Sequence, residues 1–183
     1  MSLVYSQDMP IGSAMPAFRL KDPYGHLFGS DELFGRKGLL VVFSCNHCPY
    51  ANAQWPRLVA LAAEFKSRGI ACVAINSNIH PDYPEDAPSA MKRKIAALQI
   101  DFPYLVDDTQ QVARDFAAQC TPDPYLFDAA GFLVYHGRID DNWKDEGKVT
   151  RHNLRDAMEA LVHGAPCLEV QSPSMGCSIK WRH

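Results

Sequence analysis

Cys45 and Cys48, separated by two residues in Phe43-Ser44-Cys45-Asn46-His47-Cys48-Pro49-Tyr50, are the residues in this chain best spaced to react with one another. The thiolate is the reactive form of cysteine, and a second thiol at this spacing can return to close a disulfide. The pair therefore suits reversible two-electron thiol–disulfide exchange. It sits between the apolar run 38–43 and a long helical pattern opening at Pro49. A strand-to-helix junction puts the sulfurs where helix N–H groups and the helix dipole favour negative charge. His47, lying between the thiols, stabilises a thiolate when protonated and makes the disulfide more oxidising. A zinc knuckle would need two further ligands, and the sequence offers no second C-x-x-C and no H-x3-H. Asp82, Glu85 and Asp86 are scattered among prolines and form no convincing metal set. Neither a metal nor another cofactor is expected.

The elements that must position this dithiol follow from hydrophobic pattern. The run 39–43 is continuously apolar, as in a strand buried on both faces. Pro49 suits the first helical turn, where its missing N–H is not needed. Trp55, Leu58, Ala62 and Phe65 then share a face, Pro56 should kink the helix, and Gly69 stops it. The run 70–76 is a second buried strand, in which Cys72 is a small core residue. Before these elements, 17–20 alternates as a half-buried strand, the turn 22–25 lets 26–28 pair back, and Ser30 caps a short helical turn. After them come a Pro-rich loop, 77–88, and an amphipathic helix carrying Met91, Ile95 and Leu98. Next are a short strand at 102–106 and a helix capped by Asp108 or Thr109. A hairpin around 128–131 follows, then a last helix capped by Thr150 and closed by Gly164. A βαβ unit followed by an antiparallel hairpin predicts an α/β architecture with a mixed sheet and helices on both faces. Residues 1–16 read as an extended arm, 17–164 as one domain, and 165–183 as a tail packed on it.

At 183 residues the chain can bury a full core, and its 47% hydrophobic and 21% charged content is ordinary for a globular protein. A formal net charge of −3 with no basic face argues against a nucleic-acid partner. No apolar run approaches the roughly 20 residues that span a bilayer, so no membrane association is expected. The start carries neither a basic segment nor an apolar h-region, and a cytoplasmic location is the default expectation. In that compartment the six cysteines suit catalytic or metal roles better than a disulfide framework. Cys120 and Cys177 are candidate further redox thiols. Cys120 lies close in sequence to Pro122, while Cys177 sits in a Gly-Cys-Ser turn within the tail. Cys167 gives no signal.

Cys45-Asn46-His47-Cys48 after a buried strand, with Thr121-Pro122 ahead of Tyr125-Leu126-Phe127, resembles the thioredoxin superfamily. The N-terminal hairpin and the inserted segment 77–98 are similar to its peroxiredoxin-like branch, the alkyl hydroperoxide reductase/thiol-specific antioxidant or redoxin family. The three stretches 43–50, 120–123 and 176–181 together resemble an uncharacterised group of bacterial thioredoxin-family proteins. The resemblance spans about residues 12–181. It implies a thioredoxin fold with an N-terminal β-hairpin and an inserted helix as in peroxiredoxins.

The resemblance also implies a thiol–disulfide oxidoreductase. Cys45 would be the nucleophile, Cys48 its resolving partner, and a cis Thr121–Pro122 bond would turn the Thr121 backbone toward the dithiol to bind a substrate strand. The implied partners are a disulfide-bearing protein or a small thiol or peroxide, together with a thiol reductant. Two alternatives stand beside it. One is a peroxiredoxin-like thiol peroxidase with Cys48 as peroxidatic cysteine. In that alignment Cys45 replaces the customary threonine, and Pro122 falls near the place of the customary arginine. The other is a non-catalytic redox-sensing module. Which of Cys45 and Cys48 leads stays open at this point.

Overall fold

The computed structural model describes residues 3–7, 9–168 and 171–182. Within the expected arm and tail, residues 1, 2, 8, 169, 170 and 183 lie outside the described residues. The strands are β1 (Leu3–Tyr5), β2 (Arg19–Lys21), β3 (Leu27–Gly29), β4 (Gly38–Phe43), β5 (Ile70–Asn76), β6 (Tyr104–Val106), β7 (Cys120–Thr121), β8 (Asp123–Asp128), β9 (Leu133–His136) and β10 (Met175–Ser178). The helices are α1 (Pro49–Lys66), α2 (Pro88–Leu98), α3 (Gln111–Asp115) and α4 (Asn153–His163).

Seven strands form the main sheet in the order β3-β2-β6-β5-β4-β8-β9. The pairs β4–β5 and β5–β6 are parallel, and β8 joins β4 antiparallel with Phe43 opposite Asp123. Every residue of β4 is buried, because alternate side chains enter two different cores. Leu40 and Val42 pack beneath α1 and α4 with Trp55, Leu58, Phe65, Leu154 and Met158. Leu39, Val41 and Phe43 face the other way, onto Phe18, Phe116, Tyr125 and Phe127 beside α3. The sheet is thus mixed and carries helices on both faces. Among the described residues no helix is long and apolar enough to cross a membrane.

Two helix starts differ from the sequence expectation. Thr150 does not cap α4: its hydroxyl and its N–H are both bound to the Asp141 carboxylate, and the cap position falls on His152. Asp108 does not cap α3 either. The buried Asp107 carboxylate accepts from Ala113 N–H at 3.0 Å and Val112 N–H at 3.4 Å, with Thr109 Oγ1 accepting from Gln111 N–H. At α3 a buried carboxylate satisfies the orphan donors, whereas at α4 the Leu154 N–H goes to the Ile139 carbonyl at 3.1 Å and no side chain caps the helix.

A second, smaller sheet has the order β1-β10-β7, all antiparallel. The tail, which has no periodic signal, supplies its central strand. Cys177 stands opposite Leu3 on one side and Thr121 on the other.

Candidate active site

The main sheet ends at Phe43, Ser44 N–H bonds the Ile75 carbonyl at 2.9 Å, and the chain turns through 45–48 into α1. Pro49 excludes the helical region for the residue before it, and Cys48 accordingly sits extended (φ −77°, ψ 124°) as the N-cap. The Cys45 carbonyl accepts from Trp55 Nε1 at 3.1 Å, which fixes the turn onto the second turn of α1. Trp55 is held edge-on by Tyr104, whose hydroxyl reaches Asn46 Oδ1 at 3.1 Å. Both sulfur-bearing residues have no solvent exposure.

The Thr121–Pro122 peptide is cis, and Thr121 touches both thiols. Its hydroxyl lies 3.1 Å from Cys45 Sγ, and its carbonyl accepts from Cys48 Sγ at 3.3 Å. Asp123, the next residue after Pro122, is anchored by His136 Nε2 at 2.9 Å and the Tyr125 hydroxyl at 3.0 Å, with Tyr125 and His136 stacked at 3.9 Å. The Thr121 edge is not open to an incoming strand as the sequence expectation held: β10 of the same chain already pairs with it. Pro122 lines a cleft of about 270 Å³ together with Tyr5, Gln54, Trp143 and Met175.

His47 is almost buried, and its Nδ1 is bonded to the Asp86 carboxylate. Asp86 has no exposure and takes two further donors, Asn46 N–H at 2.6 Å and Asn76 Nδ2 at 3.0 Å. With Nδ1 carrying the proton toward Asp86, Nε2 of a neutral ring is the acceptor nitrogen. That atom is buried and has no hydrogen-bond partner among the described residues. The ring lies 4.6 Å from that of Tyr83. Cys45, His47 and Asp86 each offer a potential metal-ligating atom, all within 4.8 Å of one another. Because Nδ1 and the carboxylate are already engaged with each other, the trio is arranged as a hydrogen-bonded pair beside a thiol.

The two thiols differ sharply in acidity. Burial pushes the Cys45 thiol well up, and the neighbouring Cys48 and the Asp86 carboxylate push it further. Cys48 is drawn down to about 5, first by hydrogen bonding from Cys45 and, against the opposing effect of burial, by Cys177. Ala51 N–H in the first turn of α1 adds to this, although it closes no cap hydrogen bond. One group acts the other way: the Thr121 carbonyl accepts from Cys48 only while it is a thiol. Three donating residues outweigh one acceptor, so the shared charge rests on Cys48. This favours Cys48 as the thiolate of the pair over Cys45, the nucleophile that the resemblance implies.

Cys120 and Cys177 both reach this neighbourhood. Cys120 is buried beside Thr121, and its thiol is pushed up by burial and by Asp123, which makes it a poor nucleophile at neutral pH. Cys177 contacts Cys48 with both its thiol and its backbone N–H, and burial pushes its own pKa up to about 12. Cys72 lies in β5, buried and shifted upward, and Cys167 packs on the core beneath α1 and α4.

Three site residues escaped sequence reasoning. Asp86 lies 39 positions from His47 in a Pro-rich loop, where an acid is ordinarily solvated. Tyr104 reads simply as part of a strand. Lys94 of α2 faces the dithiol, its ammonium bound to Asn52 and 5.6 Å from the Trp55 ring, with its basicity lowered by burial. The i, i+4 pattern of α2 marks its buried face but does not single out Lys94.

Residues 11–136 match the AhpC/TSA family, and the chain belongs to it. The architecture is the thioredoxin fold. An uncharacterized conserved protein from Geobacillus kaustophilus is 41% identical, with a TM-score of 0.95 over 100% of this chain and 97% of that one. A hypothetical protein from Sinorhizobium meliloti is 38% identical, with a TM-score of 0.92 over 97% and 98%. The thiol-disulfide oxidoreductase ResA of Bacillus subtilis is 25% identical over 123 residues, 67% of this chain and 64% of ResA. The chain thus spans less than two thirds of the length of that relative.

Proposed function

We propose that this protein is a thiol–disulfide oxidoreductase in which Cys48 is the attacking thiolate and Cys45 the resolving thiol. The observation that carries the reading is the placement of Cys48 at the N-cap of α1, where Cys45 and Cys177 donate toward its sulfur. The similarity to proteins named thiol-disulfide oxidoreductase ResA supports the same class.

In the oxidation of the dithiol, the Cys48 thiolate attacks one sulfur of a substrate disulfide and expels the other as a thiolate. Cys45 then loses its proton and attacks Cys48 Sγ, which releases the second substrate thiolate. Two electrons pass to the substrate, whose two thiolates take up the proton released by Cys45 and one from solvent, and a Cys45–Cys48 disulfide remains. The Asp86 charge holds Cys45 as a thiol until this second step. Because neither cysteine is exposed, the substrate is either a small disulfide or a protein disulfide admitted by movement of the covering segments 77–87 and 171–178.

The test is an equilibrium titration with glutathione, read by mass-tagged alkylation, on wild type, Cys45→Ala and Cys48→Ala. A reversible two-electron Cys45–Cys48 couple in wild type, lost in both variants, is the expected result. Absence of any reversible couple in the wild type overturns the reading.

The lowered pKa of Cys48 also favours a second reading, a thiol peroxidase with Cys48 as peroxidatic residue. In that case peroxide converts Cys48 to a sulfenic acid that dimedone traps in Cys45→Ala, and peroxide is consumed over many turnovers when a thiol reductant is supplied. Consumption of a single equivalent excludes it.

A further inference from the structure

An extended segment of this chain occupies the edge of Thr121. Strand β10 runs antiparallel to β7, with Cys177 directly opposite Thr121 and Ser178 opposite Cys120. The pairing continues in the bond from Ile179 N–H to the Gln119 carbonyl at 3.0 Å. On its other edge β10 is held by β1. The approach of the two strands is close enough to require glycine next to the cysteine. A Cβ on Gly176 would lie 1.9 Å from the Thr121 carbonyl oxygen. This is the same carbonyl that accepts from Cys48 Sγ. The strand thereby brings the Cys177 thiol and N–H against the sulfur that carries the thiolate charge, and Cys45, Cys48 and Cys177 are packed in one buried cluster.

We propose that β10 is a built-in substrate strand and that Cys177 is the third thiol of the redox centre, exchanging with the Cys45–Cys48 disulfide to form Cys48–Cys177. The inference rests on the oxidoreductase reading, which supplies the Cys45–Cys48 disulfide by reduction of a substrate disulfide. In the exchange, Cys177 loses its proton and its thiolate attacks Cys48 Sγ. The Cys48–Cys45 bond breaks, and Cys45 leaves as a thiolate that takes up a proton beside Asp86. One S–S bond forms and one breaks, no electrons enter or leave, and one proton passes in net from Cys177 to Cys45. Both thiols are made less acidic by burial and by the neighbouring Cys48, so each is protonated when it is out of the disulfide. A thiol already held against its target sulfur reacts at an effective concentration far above that of one arriving from solution. The product disulfide staples the tail strand to the N-terminus of α1.

The experiment isolates the step by removing Cys45. Cys45→Ala and Cys45→Ala/Cys177→Ala are treated with oxidised glutathione, quenched in acid, and mapped by proteolysis and mass spectrometry. In Cys45→Ala the Cys48–glutathione adduct should give way to a Cys48–Cys177 disulfide, at least about tenfold faster than the adduct is lost from the double variant. A Cys48–glutathione adduct that persists equally in both, with Cys177 still open to mass tagging, overturns the proposal. The wild type provides the second readout, independent of how well the Cys45→Ala variants fold. In its oxidised fraction a portion of molecules should carry a taggable Cys45, and that portion should vanish in Cys177→Ala. If wild-type Cys45 is never taggable once Cys48 is oxidised, the exchange does not occur. Failure of the oxidoreductase reading looks different, because then the wild type forms no reversible disulfide at all.

Discussion

The Asp86 carboxylate accepts a hydrogen bond from Nδ1 of His47, 39 residues away along the chain, and both groups are shut away from water. The same carboxylate accepts Asn46 N–H, so one side chain of the loop after β5 fixes two consecutive residues of the dithiol turn. Its charge falls beside Cys45 and leaves Cys48 as the ionised partner. The division of labour between two cysteines in the same short turn is therefore decided by a residue outside it.

Wild-type reduced protein should show thiolate absorbance at 240 nm that titrates near pH 5, assigned to Cys48. Cys45→Ala removes the hydrogen bond that contributes most to this shift while leaving the sulfur buried. Its midpoint should move upward by at least about one pH unit. An unchanged midpoint would mean that the helix start and Cys177 alone set the acidity.

Stability should follow the same charge. The folded Cys48 is more acidic than an unfolded cysteine, whose value is about 8.5. Its contribution is fully present above that value and is lost as pH falls through about 5. Cys45 is shifted the other way, so its contribution is intact below the unfolded value and declines at higher pH. Denaturant melts of reduced wild type and Cys48→Ala at pH 5, 7 and 8.5 should show a stability difference that moves in favour of wild type across this window. A difference that stays constant with pH would contradict the assignment.

Asp86→Ala would leave the Asn46 N–H, the Asn76 amide and the His47 Nδ1–H without their buried acceptor. Each orphaned donor costs about 1–3 kcal/mol, so the loss of stability in a denaturant melt should be several kcal/mol. Asp86→Asn, which keeps an acceptor oxygen, should lose less. It should also make Cys45 more acidic, because the charge beside that thiol is gone. Equal stability of the two variants would separate Asp86 from the turn.

Gly176→Ala would push a methyl group into the Thr121 carbonyl, and backbone has little freedom to yield. Loss of roughly 1–3 kcal/mol is expected. Iodoacetamide should then alkylate Cys48 faster than in wild type at the same thiolate fraction, because the strand covering the sulfur no longer seats. Wild-type kinetics in this variant would show that β10 does not limit access.

Much of this arrangement is local and therefore readable in the chain. The unbroken apolar runs at β4 and β5 announce strands buried on two faces, and Pro49 marks the helix start with Cys48 just outside it. The N-terminal hairpin was legible in its alternation and turn residues, and the cis Thr121–Pro122 element through resemblance. Contacts made across the fold were not. Asp86 looks like a solvated loop acid until the loop closes over His47. Met175-Gly176-Cys177-Ser178 has neither alternation nor β-branched residues, and it becomes a strand because β1 and β7 offer it backbone partners on both edges.

The three-stranded sheet also sets an order of events during synthesis. Cys45 and Cys48 leave the ribosome well before residues 175–178, and at roughly 5–20 residues per second the interval lasts on the order of ten seconds. For that time the nascent dithiol has its helix but lacks the strand that covers it. The dithiol is thus most open to oxidants and thiols while the chain is still being made, and the emergence of β10 closes that window.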